Sequence, residues 1–422
     1  MSDRVDALLA DLYPLCRSIT GDGVRRTLER IGQEIPLELS EVPSGTAVLD
    51  WVVPDEWNID AARITAPDGS TVADFADHNL HVVSYSEPID ESMPLGKLQA
   101  HLHSLPEQPE LIPYRTSYYS RTWGFCLPDR ARRQLVEGTY RVEIDSQLEP
   151  GHLSYGEYLI AGELADEVLF SVHICHPSLA NDNVAGMALA TELASWIAKT
   201  PRRLSYRFLF IPGTIGSITW LAHNRDGLDR IRHGLVLACL GDKGHLHWKQ
   251  TRHAPVEIDR VVEQVLSQRT EHTIRPYEPW GYDERQFSSP GFDLAVGLLT
   301  RTPNGEYDEY HTSADDLDFL DRACLDDSLG ALTEIVAMLE GNRRFTNLSP
   351  FGEPQLGRRG LYGRTGGVSI PDYELGLLWV LNQSDGSASL LDIAQRSGLS
   401  FEAIAAAAEA LCEADLLTEA EA

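Results

Sequence analysis

The chain has 422 residues, 43% of them hydrophobic and 23% charged, enough for two or three domains and at least one large core. Acidic residues number 64 against 35 basic, a formal charge of −29, which opposes binding to nucleic-acid backbones or anionic membrane surfaces, since both rely on Lys and Arg. The opening residues lack a basic stretch followed by an apolar one, and no apolar run approaches a membrane span, so a soluble cytoplasmic protein without membrane or nucleic-acid partners is expected. Cys16, Cys126, Cys175, Cys239, Cys324 and Cys412 form no CxxC pair and predict free thiols in a reducing compartment.

In chain order, residues 3–35 carry Leu8, Leu9 and Leu12, then Val24, Leu28 and Ile31, at helical spacing. Turn chemistry at 18–23 separates the two helices, with Thr20 a candidate cap for the second. From 38 to about 150 the pattern changes to short alternating segments (47–53, 80–85, 138–144) between Pro and Gly turns, predicting a β-rich module. From about 151 to 345 strands alternate with helices. Strands are expected at 157–164, 167–172, 204–211, 235–240 and 294–299, and helices at 186–199, 216–225, 255–268 and 323–339. That alternation predicts an α/β fold with a mainly parallel mixed sheet covered by helices. A Gly/Arg-rich linker at 356–367 precedes a three-helix tail over 372–418, within a unit spanning 365–422. The segment around Gly398 resembles a helix-turn-helix of winged-helix type. Its second helix, starting at Phe401, has no basic residue, so packing or oligomerisation is expected of it instead of base reading, and the chain is expected to form a homo-oligomer.

The chemistry gathers where strands end. An apolar run to Val172 delivers His173 and His176, and the following turn carries Asp182. Imidazole and carboxylate in this arrangement suit zinc, although paired histidines can also be packed strand-end side chains. Asp242 follows another apolar strand, either as a ligand or as an Asp closing a turn. The 280–287 segment holds Tyr282, Asp283, Glu284 and Arg285, and the 305–315 segment holds Tyr310, His311, Thr312 and Asp315, where the loop can hold the imidazole and then cap a helix.

Taken in order, these motifs resemble the zinc aminopeptidases of the bacterial leucyl aminopeptidase type. They are closer still to a subgroup with an N-terminal β insertion and a C-terminal winged helix, associated with polysaccharide or natural-product biosynthesis. The motifs that carry the likeness are the 173–183 segment, Tyr-Asp-Glu-Arg-Gln-Phe at 282–287, the 306–313 segment and the aromatic 112–126 stretch. The resemblance implies four parts: a helical start at 1–37, a β insertion at 38–150, a catalytic domain at 151–345 and a winged helix at 365–422. It implies one or two zinc ions, with Asp182 central, His311 a ligand from the far side, Asp242 a third, and either His173 or His176 from the first strand. Asp283 and Glu284 become candidate catalytic carboxylates, and Arg285, Asn183 and Tyr310 candidate substrate-binding groups. The substrate would be an amide- or amine-bearing small molecule or short peptide.

Two departures qualify the likeness. Cys175 stands where the peptidases have an orienting Asp. Gly213 stands in the turn that normally supplies a Glu to take the proton of the attacking water. A glycine there is open to two accounts, lost chemistry or a backbone needing positive φ. With the base missing, acyl transfer or cyclisation on the same fold, or a non-catalytic scaffold, are the alternatives to hydrolysis.

Overall fold

The computed structural model describes residues 3–361 and 372–420. The chain divides into two compact units, Met1–Leu332 and Thr333–Ala422.

The first unit is built on a mixed eight-stranded sheet. Its strands are β1 (Glu38–Pro43), β2 (His152–Ile160), β3 (Glu167–His173), β4 (Ser205–Ile211), β5 (Ile231–Leu237), β6 (Leu246–Lys249), β7 (His272–Arg275) and β8 (Val296–Thr300), in the spatial order β1-β2-β4-β3-β5-β8-β6-β7. The four central strands β4, β3, β5 and β8 run parallel, and the antiparallel pairs lie toward the two sides. Every residue of β3 and β4 is buried, which is why both read as continuous apolar runs without alternation. Phe170 of β3 stacks on Phe208 of β4 with centroids 5.0 Å apart.

Helices α1 (Asp3–Leu12) and α2 (Asp22–Gly32) open the unit, and α3 (Ala185–Ile197), α4 (Ile215–His223) and α5 (Glu257–Leu266) follow strands of the sheet. After β3 the chain passes through α3 to β4 on one side, then through α4 to β5 on the other. The carboxyl end of β3 is therefore a topological switch point, where a crevice opens between diverging connections.

Three expectations are revised. Strand β1 belongs to the edge of the central sheet, paired from Glu38↔Glu157 to Pro43↔His152, not to the β module. The 80–85 segment forms a 3-10 turn at Asn79–His81 followed by isolated bridges. Thr20 does not cap α2: the cap position is Gly21, and the Thr20 hydroxyl instead accepts from Trp57 N (3.0 Å) and pairs with the Tyr85 phenol (2.6 Å). Within the module a four-stranded antiparallel sheet, centred on Glu56–Thr65 and Thr139–Glu149, buries Ile64, Val142, Ile144 and Phe125.

The second unit contains α7 (Asp372–Gln383), α8 (Leu390–Ser397) and α9 (Phe401–Glu413); α6 (Arg322–Gly341) spans the division between units. A three-stranded sheet accompanies them. Ser389 and Asp392 cap α8 reciprocally, Gly398 ends it at φ 74, and Ser400 caps α9 through Ala403 N. Of the expected linker, Leu356–Arg359 forms a 3-10 turn, and 362–367 lie outside the described residues, as do 365–371 of the expected tail unit. No helix among the described residues is long and apolar enough to cross a membrane.

Candidate metal centre

Strand β3 ends at His173, and the chain then turns back so that the 180–184 loop carries Asp182 over the strand end. His173 Nε2 lies 2.8 Å from Asp182 Oδ1, and His311 Nε2 lies 3.0 Å from Asp182 Oδ2. His176 Nε2 approaches Oδ2 at 4.0 Å. The sequence left His173 and His176 as alternatives; the fold brings both to the one carboxylate. His173, His176 and Asp182 are buried and offer ligand atoms within 4.8 Å of one another. His311 completes the group from the solvent side, its side chain 31% exposed.

The loops are held by other residues. The Asp315 carboxylate accepts Asn181 N at 2.6 Å and Asp182 N at 3.1 Å, fixing the backbone beneath the central carboxylate. His311 has a left-handed backbone, φ 55, and its carbonyl accepts Tyr114 N of the β module at 2.7 Å. Tyr114 also presents its ring to His311 and His176 at 5.0 and 5.2 Å, and Tyr310 stacks on His311 at 3.9 Å.

Burial works to raise the Asp182 carboxyl, but the His176 and His173 imidazoles outweigh it and hold the group well below the usual range. Burial keeps His176 well below the ordinary imidazole value, against the pull of Asp182. A carboxyl held ionised and an imidazole that gives up its proton readily are what metal ligation requires. A carboxylate ringed by imidazoles is a donor set that fits zinc.

The turn after β4 explains the glycine. Gly213 is not among the residues with positive φ, so that account of it is set aside. A Cβ at Gly213 would instead meet the Tyr282 hydroxyl oxygen at 1.9 Å. Tyr282 packs its ring against His173 with centroids 4.0 Å apart, and its hydroxyl lies 3.4 Å from Cys175 Sγ, which accepts Gly213 N at 3.3 Å. Burial, reinforced by Cys175, pushes the Tyr282 phenol well above its ordinary value, so it stays a neutral phenol, able to donate its proton in a hydrogen bond.

Asp283 accepts Thr214 N at 2.7 Å and Ser217 Oγ at 3.1 Å through Oδ1. Its Oδ2 is buried without a partner, and burial raises its pKa to about 6.

Four candidates take other roles. Asp242 is consumed by the fold: Oδ1 accepts Gly244 N (2.7 Å) and Thr302 Oγ1 (2.6 Å), and Oδ2 accepts Asn181 Nδ2 (3.0 Å) and Thr302 N (3.2 Å). With its lone pairs occupied it braces the Asp182 loop through Asn181 instead of joining the cluster. Glu284 is fully buried, paired with Lys249 and accepting Tyr282 N, so it fixes the loop and is not free to exchange protons. Asn183 donates to Leu237 O at 2.9 Å and reaches His173 Nδ1 at 3.2 Å, orienting the imidazole instead of meeting substrate. Arg285 is half-buried on the short helix Glu284–Phe287, outside the His-Asp cluster, with Nε lacking a partner.

Sequence reasoning missed the Tyr282–Gly213 exchange and Cys239. The latter follows β5 at φ 48, its thiol 3.4 Å from Asn304 Oδ1 and 3.5 Å from the Tyr307 hydroxyl. A strand-end position beside Asp242 was the available signal for Cys239; nothing in the sequence pairs residues 213 and 282.

Comparison with known proteins agrees with this architecture. A protein of Clostridium acetobutylicum named "Putative polysaccharide biosynthesis protein with aminopeptidase-like domain" is 49% identical over 412 residues, covering 97% of this chain and 95% of that protein. A solved structure of a "putative peptidase" from Clostridium acetobutylicum shares 48% identity, covers 98% of this chain and 96% of that one, and superposes with a TM-score of 0.93. The zinc aminopeptidase of Bacillus subtilis, at 12% identity, 80% and 95% coverage and a TM-score of 0.58, shares the fold. A winged helix-turn-helix model matches residues 343–419. With residues 6–342 matched by the model of a domain of unknown function, DUF4910, the chain belongs to the DUF4910 family.

Proposed function

We propose that the protein is a zinc-dependent, aminopeptidase-like enzyme. Its substrate is an amide- or amine-bearing small molecule or short peptide, within polysaccharide or natural-product biosynthesis. The observation that carries the reading is Asp182, which turns one oxygen to His173 and the other to His311. Asp182, His173, His176 and His311 are the residues that would hold zinc, whether one ion binds or two. Zinc bound there supplies Lewis acidity toward a carbonyl oxygen. The 49% identical relative's name, with its aminopeptidase-like domain and polysaccharide biosynthesis, supports the same reading. Six free cysteines support a reducing, cytoplasmic setting.

The chain's own groups divide the remaining work. Asp283 is the base: its free Oδ2 and a pKa raised to about 6 suit proton transfer near neutrality. Tyr282 donates a hydrogen bond beside His173, and Tyr310 and Tyr114 wall the approach to His311. The winged-helix unit serves packing or self-association.

A second reading is favoured by one feature. Tyr282 fills the volume where a side chain at 213 would sit, and a neutral phenol there does not activate water. This favours transfer or cyclisation, in which an amine of the substrate or of an acyl acceptor attacks the carbonyl, Asp283 takes its proton and the original amine leaves. The experiment is elemental analysis with activity assays on aminoacyl anilides and on an amine-bearing acyl acceptor. Wild-type protein should hold zinc that Asp182→Ala abolishes. Aminolysis without hydrolysis selects the second reading, and absence of any transition metal overturns both.

A further inference from the structure

The loop that brings Tyr282 to the metal centre has a second face. Two residues earlier, Trp280 is 76% exposed and lines a cavity of about 290 Å³ with Lys249, Arg275, Pro303, Asn304 and Glu306. None of these residues takes part in the His-Asp cluster.

The two cations of the cavity are already matched, and Glu278 adds one further carboxylate to its lining, an acceptor for hydroxyl groups. Arg275 binds Glu306 through two bonds of 2.6 Å. Lys249 pairs with the buried Glu284 and donates to the carbonyls of Trp280 (2.5 Å) and Glu278 (3.3 Å). An anionic ligand would have to break one of these pairs and would meet the Glu278 carboxylate as well. A purely apolar ligand would cover the Arg275–Glu306 pair and the Asn304 amide without satisfying them, which is unfavourable. Asn304 Oδ1 is engaged by the Cys239 thiol, which leaves its amide N–H groups for a ligand.

What remains is an exposed indole face beside paired cations and the acceptor oxygens of Glu306 and Glu278. Its complement is a neutral ring with one apolar face and a rim of hydroxyl groups, because the indole supplies area while the paired side chains supply hydrogen bonds of both senses. We propose that this cavity is a subsite for a neutral sugar ring, such as the pyranose of an N-acylated hexosamine, stacked on Trp280. The inference rests on the functional reading above, since it makes the substrate of the metal centre a sugar-bearing amide or amine. The shared 280–282 loop links the two: Trp280 reads the sugar while Tyr282 lies against His173.

The test is saturation-transfer NMR on the full chain stripped of metal by chelator, with N-acetylglucosamine as probe, so that binding is read apart from metal chemistry. Saturation is expected on the ring protons of the sugar. It should be retained in Trp280→Phe and weakened about tenfold or more in Trp280→Ala. Absence of transfer in wild type, or transfer unchanged in Trp280→Ala, overturns the proposal even where zinc binding and its loss in Asp182→Ala are both found. Sugar binding in a protein that never holds zinc would instead sink the metalloenzyme reading alone.

Discussion

The Tyr282 hydroxyl and residue 213 compete for one volume: a Cβ added to Gly213 would lie 1.9 Å from the phenol oxygen. The absence of a carboxylate in this turn is thus a packed arrangement with its own occupant, and Gly213→Glu is expected not to restore hydrolysis. Gly213→Ala should destabilise the protein by about 1–3 kcal/mol through overpacking. In a Tyr282→Ala background the same change should cost less, with a coupling of about 0.5–3 kcal/mol. Urea unfolding of the four proteins checks this, and strict additivity would show that the two residues do not share the space.

Asp283 sets an acid limb on activity. Burial raises its pKa to about 6, so the carboxylate form that accepts a proton appears as pH rises through about 6, and the rate should rise with it. Asp283→Asn should remove the limb and lower kcat by about 10²–10⁴. The stability sign follows the same shift. A raised folded pKa favours the protonated fold, so wild type loses this contribution as pH rises from the ordinary carboxyl range through about 6, and the Asn variant does not. A pH–rate profile with an unchanged limb in Asp283→Asn would remove it from the base role.

Glu56 gives the opposite sign. The Arg25 guanidinium, at 2.5 Å, lowers its pKa to about 2 against the effect of burial, and His152 N adds a bond of 2.8 Å. This folded pKa is depressed, so its stabilisation is present above the usual Glu range and is lost as pH falls through about 2. Glu56→Gln should cost about 1–3 kcal/mol at neutral pH, with the difference from wild type vanishing in acid. Thermal melts across pH read this directly.

The winged-helix unit should not bind DNA. Helix α9 carries no basic side chain, and duplex binding at physiological salt needs several phosphate contacts from Lys or Arg. Titrating labelled duplex with the full chain should give no salt-dependent binding below micromolar concentration. Tight binding that weakens steeply with salt would contradict it.

The sequence was most legible where one physical signal dominated. The buried runs of β3 and β4 and the small-residue helix α3 announce themselves by continuous apolarity. Strands β6 and β7 have four residues each, and β7 (His-Thr-Ile-Arg) is half-buried throughout, so no period distinguishes it from a loop. Strand β1 is largely exposed and carries two Glu residues, which suits an edge but hides it from a hydrophobic pattern. At the site, residue type and strand-end position singled out His173, His176, Asp182 and His311, which the fold brings together. The same rule singled out Asp242, whose oxygens are taken up by Gly244, Asn181 and Thr302, because position cannot tell a carboxylate facing a ligand from one saturated by its neighbours. Asp283 and Glu284, adjacent in sequence, differ only in whom they meet: Lys249 neutralises one, and the other keeps a free oxygen.

The β module leaves the sheet after Pro43 and re-enters at His152, and those two residues stand opposite one another on antiparallel strands. Topologically the whole module is the tip of one hairpin. Its length and content can change without shifting the register of any strand below it. Yet from that tip Tyr114 holds the carbonyl of His311 and presents its ring to two imidazoles. Selection for what enters the crevice can therefore act on a segment whose alteration leaves the sheet intact. The shape of the entrance and the placement of Asp182 with its imidazoles are thus governed by separate stretches of this chain.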